Sequence, residues 1–218
     1  MSGLITRKSV RIGRAERDLR DQPFFLVATE DRYAPKQYFD ALSFPSVKII
    51  VLETQEEESS APSQVVARLK HAFDNAAKAG NIQPNDEFWI LLDTDHRTQG
   101  AHVRGTVQAL DEARQRGFEI AVSNPSFELW LLLHHVDLPA GMESRPPAAA
   151  EVEKLLRDTL GSYNKSKIDP RMFPATSIPP AIRRARRLET IPDNPQGYWP
   201  EKTGTRVYRL LEKILSLQ

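Results

Sequence analysis

Short apolar runs alternate with amphipathic stretches over the first two thirds of the chain. Phe24-Phe25-Leu26-Val27-Ala28 reads as a first strand, ending at Thr29-Glu30-Asp31. Tyr38, Phe39, Ala41 and Leu42 then recur with helical spacing. Val47 to Leu52, rich in β-branched residues, predicts a second strand, and residues 54–61 a polar loop. Pro62-Ser63 opens a helix carrying Val65, Val66, Leu69, Ala72, Phe73 and Ala76, which stops at Gly80-Asn81. Residues 87–92 predict a third strand, Thr98-Gln99-Gly100 a turn, Val103 to Gln115 a helix, and Phe118 to Val122 a fourth strand. Asn124-Pro125, read as N-cap and first helical residue, begins an apolar helix running to Leu133. This alternation predicts an α/β fold with a mostly parallel four-stranded sheet flanked by helices, over residues 23–137.

Beyond that core the periodicity changes. Leu138 to Pro147 is Pro-rich and reads as a linker or lid. Helices are expected near 149–160, 179–190 and 203–217, with an irregular segment containing Tyr163-Asn164-Lys165-Ser166-Lys167. Residues 138–218 are therefore expected to form a helical C-terminal extension packed on the core as one continuous unit. Residues 1–22 read as a polar, basic leader.

Composition narrows the possibilities. The 218 residues are 40% hydrophobic and 27% charged, as in ordinary soluble domains. There are no cysteines, which excludes disulfides, thiolate zinc sites and cysteine nucleophiles. No run has the length of a membrane span. The first eight residues lack an apolar signal core, so a cytoplasmic location is expected. The net charge of +1 conceals an asymmetry. Arg7, Lys8, Arg11, Arg14, Arg17 and Arg20 crowd the leader, and Arg183, Arg184, Arg186 and Arg187 form a second cluster. Glu53, Glu56, Glu57 and Glu58 oppose them. Basic segments around an acidic site suit a phosphodiester ligand, RNA or DNA; solvated faces would look the same.

The chemistry concentrates at strand ends. The third strand runs into Asp93-Thr94-Asp95, and the first into Glu30. In a parallel sheet such ends share one edge, where open α/β sheets bind ligands. A Glu and an Asp-x-Asp there have the oxygen chemistry for Mg²⁺ or Mn²⁺, and such ions assist displacement at phosphorus. Ordinary loop and capping carboxylates are the alternative. Glu128 has two readings: a carboxylate favoured by the first turn of a helix, or a further ligand to metal or water. His96 is either a phosphate contact or a loop histidine. His134 and His135 are expected to complement the end of their helix. Lys165 and Lys167 are candidates for contacting phosphate. Arg183, Arg186 and Arg187 fall roughly along one helical face, with Arg184 off it, fitting either a backbone-binding surface or a solvated helix. No Walker or dinucleotide glycine loop and no His-Glu-x-x-His motif occurs.

These pieces together resemble the RloB-like family, small TOPRIM-fold proteins of bacterial defence loci. The resemblance is carried by Thr29-Glu30-Asp31 with Tyr38-Phe39, by Asp93-Thr94-Asp95, and above all by Ser123-Asn124-Pro125-Ser126-Phe127-Glu128-Leu129-Trp130. Tyr163-Asn164-Lys165 and Gly204 to Leu211 also fit. It implies a TOPRIM-like core whose Glu30, Asp93 and Asp95 bind Mg²⁺ for phosphodiester chemistry, and a role in anti-phage defence, alone or within a larger defence complex. In the family the glutamate is usually followed by glycine. Asp31 stands there instead, so either the backbone is less free or Asp31 joins the site.

The leading expectation is a metal-dependent nuclease. Glu30, Asp93, Asp95 and Glu128 would be catalytic and metal-binding, and Lys165 catalytic. Lys167, Arg183, Arg184, Arg186 and Arg187 would hold nucleic acid. A non-catalytic TOPRIM module that binds nucleic acid or a partner protein is the second reading, and a phosphotransferase or nucleotide-acting enzyme using the same metal site the third. RNA or DNA preference, trigger and oligomeric state stay open; a dimer is compatible with the sequence.

Overall fold

A computed structural model describes residues 21–52, 54, 60–95, 102–143, 148–189 and 197–218. The arginines of the leader, the Glu53–Glu58 patch, the Thr98–Gly100 turn and His96 lie outside these residues.

Five strands make one sheet in the order β2-β1-β3-β4-β5. They are β1 (Phe24–Thr29), β2 (Lys48–Leu52), β3 (Glu87–Asp93), β4 (Glu119–Asn124) and β5 (Gly204–Thr205). The first four are parallel, with Leu26 beside both Ile50 and Phe88, and Asp93 beside Ser123. The fifth strand, absent from the expected four, runs antiparallel to β4 and pairs Thr205 with Ser123. Two residues are too few to show a strand period, and tertiary pairing alone makes them one.

Among the described residues seven α-helices cover the sheet: α1 (Ala34–Asp40), α2 (Pro62–Lys78), α3 (His102–Gln115), α4 (Glu128–Leu133), α5 (Ala149–Leu160), α6 (Ile178–Leu188) and α7 (Val207–Leu215). Both sheet faces are apolar, as strands buried on two sides require. Phe24, Leu26, Phe88, Ile90 and Leu92 pack against Val65, Val66 and Leu69 of α2 and Leu110 of α3. The alternate residues Phe25, Val27, Trp89 and Leu91 face the opposite layer of α1, α4, α5, α6 and α7. Residues from the C-terminal helices, such as Val152, Ile182 and Leu211, belong to this second cluster together with Leu129 to Leu133. No described helix is long and apolar enough to cross a membrane.

Helices α2 and α3 stop where glycine permits it. Gly80 and Gly117 take φ of 69° and 76°, and the following amides, of Asn81 and Phe118, reach back to the carbonyls of Ala76 and Ala113. Helix α4 departs from the expected start at Asn124-Pro125. It begins at Glu128, because the Asn124 side chain is engaged elsewhere: its Oδ1 accepts from Thr94 Oγ1 at 2.8 Å and its Nδ2 donates to Pro200 O at 2.8 Å. All six residues of α4 are buried, since it lies between the sheet and helices α5 and α6.

The strand order places the site. From β1 the chain moves to β2 on one side, then returns past β1 to β3 on the other. The helix after β1 packs on one face and the helix after β3 on the other. The C-terminal ends of β1 and β3 thus form a topological switch point, where open α/β sheets leave a crevice.

Candidate metal centre

At this crevice the chain leaves β1 through Glu30 and Asp31. Thr29 Oγ1 donates to Asp31 O at 2.8 Å, and Asp31 Oδ1 accepts from the amides of Tyr33 (2.7 Å) and Ala34 (3.3 Å). These bonds close the turn into α1 and leave Asp31 Oδ2 for the crevice. No non-glycine residue among those described has positive φ, so position 31 does not need the freedom of glycine. Its side chain joins the cluster.

Asp93 closes β3, and Glu128 enters from the first turn of α4. Asp31, Asp93 and Glu128 each offer an oxygen within 4.8 Å of the other two. Three hard oxygen donors at that spacing suit one Mg²⁺ or Mn²⁺ ion completed by water. Glu30 supports them from beneath: its Oε2 accepts from the Asp93 amide at 3.4 Å, and its own amide donates to Leu91 O. The Asp93 carboxyl is pushed well above the usual carboxylate range, first by burial, then by the charges of Glu128, Asp31 and Glu30. Like charges brought together out of water produce this shift, and a bound cation removes it.

One internal cation already faces the cluster. Lys165 Nζ lies 2.6 Å from Asp31 Oδ2 and 3.3 Å from Glu128 Oε1. Burial works to lower its pKa, but Glu128 and Asp31 outweigh burial and raise it, so Lys165 stays protonated. Tyr163 donates to Glu128 Oε1 at 3.2 Å; burial foremost, then Glu128, pushes its hydroxyl pKa up, so it remains a donor. The segment carrying both residues is pinned by Gln37 of α1. Gln37 Nε2 donates to Lys165 O at 3.1 Å, and its Oε1 accepts from the Ile168 amide at 3.0 Å.

Asp95 is exposed and is not one of the three clustered carboxylates. The Pro125 carbonyl accepts from the amides of both Thr94 and Asp95, which fixes this loop with Asp95 at the rim. Ser123 is tied sideways to Thr205 by a 2.8 Å hydroxyl contact. Asp31, Tyr163 and Gln37 are the site residues that spacing did not single out. The resemblance gave the advance signals for two of them: the acid at 31 where glycine was expected, and Tyr163 within the Tyr163-Asn164-Lys165 segment.

The basic residues divide. Lys167 is exposed and lines a cavity of about 210 Å³ with Tyr163, Asn164, Met172 and Phe173. Arg183 is exposed on α6. Arg186 pairs with Glu212 at 2.5 Å, and Arg187 pairs with Asp137. Arg184 differs from the expected nucleic-acid contact: its guanidinium donates to Leu133 O (2.8 Å) and His134 O (3.3 Å) and lies 3.5 Å from Asp137. It satisfies the carbonyls that end α4.

His134 is the C-cap of α4, the place expected for it, but it brings no charge to that helix end. It is buried, with its pKa lowered to about 3 chiefly by burial. Ser177 Oγ donates to Pro174 O, so it accepts from His134 Nδ1 at 2.7 Å, leaving Nε2 to accept from Tyr38 OH at 3.1 Å. A neutral imidazole thus joins α1 to the segment before α6.

The family model for RloB-like protein matches residues 25–214, so the chain belongs to that family. No curated protein and no solved structure matches it.

Proposed function

We propose that this RloB-like protein is a TOPRIM-type nuclease, dependent on Mg²⁺ or Mn²⁺ and acting on RNA or DNA in anti-phage defence. The observation that carries this reading is the convergence of Asp31, Asp93 and Glu128 oxygens within 4.8 Å at the sheet's switch point. The donor set fits a hard divalent cation, and the pKa of Asp93 is raised by burial first and then by the negative charge of Glu128, Asp31 and Glu30. When bound, such an ion supplies an activated water and charge stabilisation at phosphorus.

The chain's own residues then divide the work. Asp31, Asp93 and Glu128 hold the ion. Glu30 orients Asp93 through its amide and is the carboxylate placed to take a proton from water. Tyr163 keeps one oxygen of Glu128 directed. Lys165 presents an ammonium to the negative charge developing on a scissile phosphate. Asp95 at the rim, with exposed Lys167 and Arg183, faces incoming strand. Arg186 and Arg187 reach nucleic acid only by exchanging their present carboxylate partners for phosphate.

Labelled RNA and DNA pools incubated with Mg²⁺ or Mn²⁺ test this reading, with wild type beside Asp93→Ala. Metal-dependent cleavage lost in the variant is the expected result; equal cleavage by both removes the assignment. One observation favours a second reading, a non-catalytic TOPRIM module: the Lys165 ammonium already neutralises part of the cluster. Salt-sensitive nucleic-acid binding without metal-dependent cleavage is its signature.

A further inference from the structure

We infer that the cavity between the start of β4 and the first turn of α7 is a phosphate-binding site, separate from the carboxylate cluster. Glu119 opens β4, whereas Asp93 lies level with Ser123 near the strand's other end, so the two sites occupy opposite edges of the sheet. The cavity measures about 200 Å³ and is lined by Arg114, Tyr198, Arg206 and Arg209, with Glu119 the one carboxylate among the described lining residues. That volume equals several waters, enough for a phosphoryl group.

Three guanidinium groups meet there, and among the described residues Glu189 is the one carboxylate that accepts from any of them. Arg206 is buried, 3% exposed. Its Nε donates to Glu189 Oε1 at 2.9 Å and its Nη1 to Gly197 O. Arg209 Nη2 donates to the same Glu189 oxygen at 2.6 Å, and Tyr208 takes the other oxygen. One carboxylate therefore serves two arginines and a phenol. Arg114 lies over the Tyr198 ring, 4.2 Å from its centroid, and Tyr198 in turn donates to Asp111. Among the described residues no carboxylate pairs with Arg114.

The helix adds to the imbalance. Arg206 is the N-cap of α7 and Arg209 lies in its first turn, the end where the dipole already favours anions and disfavours cations. Three planar donor forks with unused N–H groups around one small cavity match the geometry of phosphate oxygens. Arg206, Tyr208 and Arg209 belong to the Gly204–Leu211 block, which the carboxylate site leaves without a role.

Calorimetric titration with inorganic phosphate, and with adenosine 5′-monophosphate alongside, at constant ionic strength in chloride, tests the site in the full chain. Wild type is expected to bind phosphate. Equal affinity for both ligands assigns the cavity to the phosphoryl group alone; tighter binding of the nucleotide assigns it to a phosphate ester. Arg114→Gln, at an exposed position, and Arg209→Gln are each expected to weaken binding at least about tenfold, the worth of one charge-assisted hydrogen bond. Glu189→Gln removes the competing carboxylate and is expected to tighten binding. A purely structural ion network predicts no phosphate binding in wild type and no gain in Glu189→Gln. Either of those results, or unchanged affinity in both arginine variants, overturns the proposal.

Discussion

Lys165 Nζ sits 2.6 Å from Asp31 Oδ2, although Lys165 is 41% exposed and the Asp31 side chain only 5%. The lysine reaches from solvent into a nearly closed carboxylate site and acts there as its resident cation. Removing the charge in Lys165→Met leaves Asp31, Asp93 and Glu128 facing one another. Without divalent metal, the variant is expected to lose about 1–3 kcal/mol of stability. That lies between the worth of an exposed pair and the cost of breaking a buried one. An Mn²⁺ ion held by the three carboxylates would then meet no competing ammonium, so thermal unfolding is expected to show a larger Mn²⁺-induced rise in Tm than in wild type. An equal rise in the two proteins contradicts the placement.

Asp93→Asn makes the opposite prediction for the metal-free protein. It removes a carboxylate that burial, and then its acidic neighbours, disfavour in the charged form, while keeping a similar shape. Relief of like-charge repulsion is expected to raise stability by about 1 kcal/mol. The Mn²⁺-induced stabilisation seen in wild type is expected to disappear. Thermal melts with and without Mn²⁺ check both halves, and lower metal-free stability would contradict the charge argument.

Gln37 reaches the site only through backbone, holding Lys165 O and the Ile168 amide. Gln37→Leu keeps the helix and removes both bonds, together with the one that Gln37 Nε2 donates to Tyr33 O within α1, at about 1.5–4 kcal/mol in total. The expected signature is local: amide exchange at Ile168 accelerates while amides in β1 and β3 stay protected. Uniformly faster exchange across the sheet would instead mean that Gln37 supports the whole fold.

His134 supplies a pH dependence whose sign is fixed by its depressed pKa of about 3. In the unfolded chain the imidazole takes a proton near pH 6.5, whereas the folded chain holds it neutral between Tyr38 and Ser177. The unfolded state therefore binds more protons between about pH 6.5 and about pH 3. Stability is lost as pH falls through that window, by at most about 1.4 kcal/mol per pH unit from this group. His134→Gln is expected to flatten that part of the profile in urea unfolding. His135, also lowered mainly by burial, leaves a residual slope.

The four parallel strands were legible because each is an apolar run of strand length between turn or helix signals. The same reading misplaced the start of α4: Asn124-Pro125 has the form of a helix start, but Thr94 and Pro200 claim the Asn124 side chain. Those partners lie 30 and 76 residues away, beyond any local pattern. Glu30 and Asp93 were visible as strand ends, whereas Asp31 was visible only as a departure from glycine. Gln37 could not be read at all, because a glutamine on a polar helix position looks solvated until the segment it holds is placed. Helical spacing set Arg184 off the face of the other three arginines, but only the placed α4 carbonyls show what it turns toward.

The Gln37–Lys165 contact joins residues 128 positions apart, whereas Glu30 and Asp93 are 63 apart. Local contacts close faster than distant ones. The floor of the crevice is therefore expected to form in refolding before α1 captures the segment that carries Lys165. Until then the half-built protein carries a knot of unscreened negative charge, which makes its early intermediates the species most sensitive to salt and divalent ions.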